Sequence, residues 1–284
     1  MDDEICARYG EQAKAVCDEW QKEAHRHPAF GEGKGSDYMA TVWDGAAETY
    51  SDWNYSQIKS SIIDNLYYRG ILRPDSTVLD IGCGPGTYAK PISRMCRSVL
   101  CLDSSPGMLS RLRRECEEES IRNVSTVWAD CCDIPPECRM DVAFCSLCPP
   151  MNNPESVLSL EDCANEWCVY ISSSNAVGSL ETEIWNALGK DYSYGGSNTQ
   201  YPYDFLRAIG RDATLDFFSE EYESSRPTDQ VVEMFISKFS KYRNLDFGMR
   251  RTIEKTVRRH DVDGMVVQKN TMRMGLLVWK PMGN

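Results

Sequence analysis

Three glycines on alternate positions, Gly82, Gly84 and Gly86, follow the apolar run Val78-Leu79-Asp80-Ile81, which carries a single acid. An apolar strand, a glycine turn and a helix-compatible segment in that order bring backbone N–H groups close to a nucleotide-like ligand. About twenty residues further on, the short apolar run Ser98 to Leu102 is closed by Asp103. An acid at the tip of a second strand is the hydrogen-bond acceptor that a ribose diol needs. The spacing is not the dinucleotide fingerprint, whose third glycine would stand at position 87, where the chain has Thr87. A nicotinamide-dependent oxidoreductase would use the same sheet and the same Asp103, but it needs that glycine and a Tyr-Lys or His catalytic arrangement, and neither is found in this chain.

These residues need a sheet to position them, and the chain repeats strand and helix on both sides of them. Val124 to Trp128, Asp141 to Leu147 and Cys168 to Ser172 read as the third to fifth strands, Thr214 to Phe218 as a sixth and Met272 to Trp279 as the last. Ile5, Tyr9, Val16 and Trp20 recur at helical spacing near the start, and Ile58, Ile62, Ile63 and Leu66 form a stripe that packs on the sheet. Leu180 to Leu188 and the apolar positions from Val231 to Phe239 mark two later helices. Some fifty residues separate the last two strands, too many for a turn, which predicts a helical insertion over about 224–263. The expected fold is α/β: a doubly wound, Rossmann-like sheet of seven strands, mostly parallel with the last antiparallel, preceded by N-terminal helices. Residues 1–70 are expected to form a helical lid hinged at Gly31, Gly33 and Gly35, and residues 71–284 the ligand-binding domain. The tyrosine-rich stretch Asp191 to Tyr203 has the composition of a loop that adapts around a ligand.

Over residues 40–175 or so the chain resembles the small-molecule class I S-adenosylmethionine (SAM) methyltransferases. Their first motif is an acid followed by glycines on alternate positions, matched by Asp80, Gly82, Gly84 and Gly86. The resemblance implies that Asp80 faces the methionine end of SAM and that the loop, Cys83 included, lets the backbone approach it. It assigns the ribose to Asp103, and it reads Ser104 to Leu109 as the turn and helix start, with Ser104 at the ligand and Met108 against the adenine. Ala129-Asp130-Cys131 resembles the segment whose acid accepts from the adenine amino group. Asp141 to Leu147, which contains Cys145, resembles the fourth-strand motif that carries substrate and sulfonium contacts. Trp43-Asp44-Gly45-Ala46-Ala47-Glu48-Thr49-Tyr50 resembles the upstream W-D-x-x-A-x-x-Y element, whose aromatics Trp43 and Tyr50 close over the ligand. An aromatic face beside a sulfonium is favourable because the cation gains from the ring quadrupole.

The implied reaction moves a methyl group from SAM to a small-molecule acceptor and leaves S-adenosylhomocysteine (SAH). A positively charged methyl donor reacts by in-line displacement, so the protein has chiefly to align the atoms and exclude water. A general base is needed only when the acceptor must lose a proton. None of His25, His27 and His260 falls in a recognised motif, so no catalytic residue is assigned.

Composition narrows the partners. A net charge of -12 repels phosphate backbones. The one basic cluster, Arg250, Arg251, Lys255, Arg258 and Arg259, has the spacing of a solvated helix face, so no nucleic-acid partner is expected. The chain opens Met1-Asp2-Asp3-Glu4 rather than with a basic and then apolar segment, and no apolar run is long enough to span a bilayer, which predicts a cytoplasmic protein with no membrane partner. No feature specifies an oligomeric state. Its 13 cysteines fall below the roughly 8–10 % that marks a disulfide scaffold, so reduced thiols are expected. Cys145 and Cys148 have the C-x-x-C spacing of a metal or redox pair, with Cys131, Cys132 and Cys138 upstream, but no second such pair or paired histidine completes a tetrahedral site. The expectation is no bound metal; the alternative is a non-catalytic SAM-binding or metalloid-handling protein that uses these thiols.

Overall fold

The computed structural model describes residues 8–26, 36–48, 50, 56–173, 180–189, 199–240 and 244–282. The expected hinge glycines, and the loop from Asp191 as far as residue 198, lie outside them. Among the described residues the strands are β1 (Thr77–Ile81), β2 (Ser98–Asp103), β3 (Val124–Trp128), β4 (Met140–Ser146), β5 (Ala164–Ser173), β6 (Thr214–Pro227), β7 (Asp261–Val262) and β8 (Met265–Trp279). They form one sheet in the order β3-β2-β1-β4-β5-β8-β6, with β7 paired to β8 outside that path. The pairs among β1 to β5 are parallel, and β8 runs antiparallel to both β5 and β6. The doubly wound sheet is therefore as expected, with eight strands instead of seven; the extra one is the two-residue β7.

Successive side chains of a strand point to opposite faces, and here both faces are buried. Val78, Val142, Phe144, Val169, Ile171, Leu276 and Val278 enter one core, while Leu79, Ile81, Ala143, Cys145, Cys168, Tyr170 and Leu277 enter the other. Such two-sided burial produces near-continuous apolar strands, and it requires helices on both sides. The first face is covered by α3 (Ser56–Tyr68), the four-residue α4 (Ala89–Ile92) and α5 (Pro106–Glu118) through Ile62, Leu66, Ile92 and Leu112. The second is covered by α1 (Glu11–Arg26), α6 (Pro154–Cys163) and α8 (Gln200–Ala208) through Trp20, Val157, Leu160 and Phe205. Trp20 is held twice, by its indole N–H to Asn152 Oδ1 at 3.1 Å and by a tilted ring contact with Phe205. The α1 helix is thus part of the core, and the pocket-facing N-terminal element is α2 (Ser36–Ala46).

The last two long strands exceed their expected lengths. Pairing between β6 and β8 runs from Thr214 with Val278 to Pro227 with Met265, so the polar stretch Ser219 to Arg226 is strand although its residues favour turns. The helical insertion accordingly begins at residue 228, with α9 (Thr228–Ser240) and α10 (Phe247–Arg258). These helices and α7 (Leu180–Ala187) share a separate small core built on Trp185, Phe235, Phe239, Ile253 and Val257. No helix among the described residues is long and apolar enough to cross a membrane.

Candidate active site

The carboxyl ends of β1, β2 and β4 open into a cleft of about 910 Å³, counting its mouth. In an open α/β sheet this is where the topology leaves a crevice for a ligand. Gly82 and Cys83 donate their N–H groups to Leu102 O at 2.8 and 3.1 Å, which folds the glycine loop back over β2. Gly82 adopts φ +69°, and a Cβ there would stand 2.5 Å from Cys148 Sγ, so only glycine fits. Gly84 (φ +53°) has open space where a Cβ would point, on the cleft side.

Asp103 closes β2 and is locked in place. Its Oδ2 accepts from Gly84 N and its Oδ1 from Ser105 N, both at 2.8 Å. Each carboxylate oxygen keeps a further lone pair. Burial pushes the Asp103 carboxyl above its usual range, against the lowering effect of the backbone N–H groups of Ser105, Gly84 and Ser104. Asp80, on β1 beside it, is fully buried. Loss of water, followed by the nearby Asp103 charge, raises its pKa from 3.8 to about 7. Three polar atoms at this end are buried without a hydrogen bond: Asp80 Oδ2, Tyr88 OH and Ser146 Oγ.

The N-terminal wall is fastened to α5. Asp44 Oδ1 accepts from Ser105 Oγ at 3.0 Å and from Gly107 N at 2.7 Å, while Arg111 donates to the carbonyls of Ala47 and Tyr50. This places Ala40, Trp43 and Tyr50 on the cleft, with the Trp43 and Tyr50 rings 6.1 Å apart and edge to face. Ser105 also caps α5 by accepting from Met108 N, which sets buried Met108 at the cleft. Asp130 and Cys131 line the far side.

Of the expected ligand residues, Trp43, Tyr50, Asp80, Gly82, Cys83, Gly84, Asp103, Ser104, Met108, Asp130 and Cys131 line one cleft, and Gly86 and Cys145 do not. A Cβ at Gly86 would meet Leu112 of α5 at 2.3 Å, so that glycine serves helix packing. Cys145 is fully buried in the second core, behind Cys148. Ser146 and Leu147, the end of the expected fourth-strand motif, line the cleft with Cys148, whereas the sequence reading missed Thr87, Tyr88, Pro149 and Pro150, although their places just after the glycine loop and just after β4 are signals in hindsight. Tyr88 is wedged against Phe144 with ring centroids 5.2 Å apart. Tyr201 and Tyr203 pack on the second core instead of the cleft, and His260 pairs with Glu183 at 2.6 Å away from it. His27 and the side chain of His25 lie outside the described residues.

The described cysteines are all free thiols. Cys131 and Cys148 line the cleft, Cys132 beside Cys131 is exposed, and Cys145 is buried in the core. The hydrogen bond from Cys131, then burial, pushes the Cys132 thiol upward. Asp130, Cys131 and Cys132 hold their ligand atoms within 4.8 Å of one another, a constellation that sequence spacing did not single out.

Together the sheet order, the switch-point cleft and the glycine loop define a Rossmann-like methyltransferase fold. Residues 78–165 match the model of the methyltransferase domain family. A Haemophilus influenzae protein of no stated activity is 28 % identical over 153 residues, which cover 53 % of this chain and 56 % of that protein. The 23S rRNA (uracil(1939)-C(5))-methyltransferase RlmD of Xanthomonas campestris is 22 % identical over 108 residues, 37 % of this chain and 24 % of its own. The chain thus spans about half the length of the first of these relatives and a quarter of the second. Among solved structures, YcgJ of Bacillus subtilis superposes with a TM-score of 0.53 at 13 % identity, covering 79 % of this chain and all of that one. Magnesium protoporphyrin IX methyltransferase (ChlM) of Synechocystis, solved with bound SAH, superposes with 0.50 at 14 % identity over 85 % of this chain and 96 % of its own.

Proposed function

We propose that this protein is a SAM-dependent methyltransferase that alkylates a small-molecule acceptor in the cytoplasm. The observation that carries the reading is the charge of the cleft. Asp80, Asp103 and Asp130 line it, no Lys, Arg or His does so among the described residues, and three buried polar atoms at its inner end have no partner. An uncompensated buried acid is costly unless a cation joins it. A ligand with an ammonium group and a sulfonium meets that need. The SAH bound to ChlM supports the same reading.

When bound, SAM supplies an electrophilic methyl group on a positively charged sulfur. Asp80 would hold the ammonium, with Tyr88 and Ser146 as further hydrogen-bonding groups, and the backbone of the Gly82 to Gly84 loop would pass close to the methionine end. Asp103 would accept from the ribose hydroxyls on its remaining lone pairs, and Met108 and Asp130 would flank the adenine. Trp43 and Tyr50 would shield the reacting centre from water and offer ring faces to the cation. The acceptor would enter past the run Ser146 to Pro150.

A small acceptor agrees with the charge of -12 and with the pairing of two members of the five-residue basic cluster. Arg258 of α10 is paired with Asp229 and Glu254, and Arg259 with Glu183, so these cations are engaged within the fold. The likeness to RlmD, an rRNA enzyme, spans only a quarter of that protein. Calorimetry with SAM and SAH tests the cofactor, and SAH release across a panel of small amines, phenols, thiols, oxoanions and ribosomal RNA tests the acceptor. Micromolar SAM binding that falls about tenfold or more in Asp103→Ala is expected, from the 1–3 kcal/mol lost when a diol is left unpaired. Absence of binding to both SAM and SAH would refute the reading, and turnover of RNA alone would refute its acceptor class.

A further inference from the structure

The cleft wall that carries Trp43 and Tyr50 is attached differently from the rest of the fold. None of the described residues from 36 to 50 enters one of the three apolar cores, so this wall docks on α5 through polar contacts instead of sheet packing. Asp44 makes the first of them. Its Oδ1 accepts from Ser105 Oγ at 3.0 Å and from Gly107 N at 2.7 Å. Gly107 N is one of the first-turn N–H groups that a helix cannot pair internally, and a carboxylate at that place also meets the positive end of the helix. The approach is close. A Cβ on residue 107 would stand 2.8 Å from Asp44 Oδ1 and 3.1 Å from Ala47 Cβ, so glycine is what lets α2 come this near. Ser105 is fully buried and does more than hold Asp44: its backbone N–H goes to Asp103 Oδ1 at 2.8 Å, and its hydroxyl accepts from Met108 N at 3.1 Å. One serine thus joins the acid at the tip of β2, the start of α5 and, through Asp44, the aromatic wall. Arg111, one turn further along α5, donates to the carbonyls of Ala47 and Tyr50 and fixes the far end of the wall.

We propose that Asp44 is a positioning residue, which sets the Trp43 and Tyr50 rings over the methyl-donor end of the cleft by tying α2 to the serine that orients Asp103. The proposal rests on the SAM reading, in which Asp103 takes the ribose and the two rings face the sulfonium. Asp44 itself does not line the cleft, so it acts on a ligand only through its neighbours. A wall that drifts from α5 loses the ring faces offered to the cation and lets water in. The effect is selective. The sulfur of SAM carries a charge and that of SAH does not, so the placement of the rings bears on SAM more than on SAH, whereas Asp80 and Asp103 serve both ligands.

The test uses the full chain and two measurements: hydrogen exchange without ligand, and calorimetry with SAM and with SAH. Asp44→Ala should speed exchange of the amides in residues 40–47 by about tenfold or more, from the two hydrogen bonds lost, and leave β1 and β2 as protected as in the parent, which separates a loosened wall from lost folding. The ratio of SAM to SAH affinity should fall by about three- to tenfold, the worth of a ring face to a cation. Asp44→Asn keeps the accepting oxygen and should restore most of both. Gly107→Ala reaches the same contact from α5: alanine suits a helix better than glycine, yet its Cβ would displace Asp44, so it should loosen residues 40–47 and lower the ratio as Asp44→Ala does. Glu48→Gln, which removes only an exposed pair with Arg114, should match the parent in both measurements. The role is overturned if exchange in residues 40–47 is the same in Asp44→Ala as in the parent, or if Asp44→Asn is as impaired as Asp44→Ala. A parent that binds neither SAM nor SAH overturns the cofactor reading and this role with it, whereas a parent that binds both, with the affinity ratio unmoved in Asp44→Ala, overturns this role alone.

Discussion

Asp80→Asn should stabilise the protein without ligand at alkaline pH while damaging the site. The carboxyl is fully buried, and its pKa is raised from 3.8 to about 7, first by loss of water and then by the charge of Asp103. An acid whose folded pKa is raised binds its proton more tightly in the folded state, so the folded state is penalised at high pH, and the penalty fades as pH falls below about 7 and is gone below 3.8. The distance between those two values corresponds to roughly 4 kcal/mol at pH 8 and under about 2 kcal/mol at pH 5. Asparagine cannot ionise. Its buried N–H2 group carries a cost of about 1–3 kcal/mol if unpaired, but that cost does not vary with pH. The stability difference between Asp80→Asn and the parent, from urea unfolding without ligand, should therefore shift in favour of the variant by about 2–3 kcal/mol between pH 5 and pH 8. A difference that is flat across this range would refute the account of Asp80 as a buried, unneutralised acid. The same linkage predicts that a ligand ammonium, which favours the ionised acid, binds more weakly as pH falls below about 7, and that Asp80→Asn loses this dependence along with affinity.

Gly82→Val adds a Cβ 2.5 Å from Cys148 Sγ at a left-handed φ, and should lower stability by roughly 2–4 kcal/mol in chemical denaturation, whereas Gly84→Ala, with open space at φ +53°, should cost only about 1–2 kcal/mol. Arg211→Met takes from the half-buried Glu161 its two-pronged partner, with Nε at 2.7 Å and Nη2 at 3.0 Å in the parent, and leaves it only the Trp279 indole N–H at 2.9 Å, so unfolding free energy should fall by about 2–3 kcal/mol; loss of less than about 1 kcal/mol would contradict the weight given to this pair.

Much of the fold was legible in the chain because its strands are buried on both faces. Val78 to Ile81, Asp141 to Leu147 and Cys168 to Ser172 stand out as apolar runs, and the alternating glycines with Asp80 and Asp103 mark the ligand end, since close backbone approach and a buried acid admit few residue types. Local composition thus determined the parallel half of the sheet and most of the cleft. It did not determine β6, where Ser219 to Arg226 form a strand only because β8 offers a pairing edge along their whole length. Nor did it decide that Gly86 packs on Leu112 while Gly84 opens to the cleft, since the two look alike in the motif. Tyr88 and Ser146 reach the site through the ends of different elements, and only the sheet order places them beside Asp80. The thiols show the limit most sharply. Sequence paired Cys145 with Cys148 by spacing, but Cys145 points into the core, and it is Cys131 and Cys148, from two different loops, that the fold brings onto one cleft.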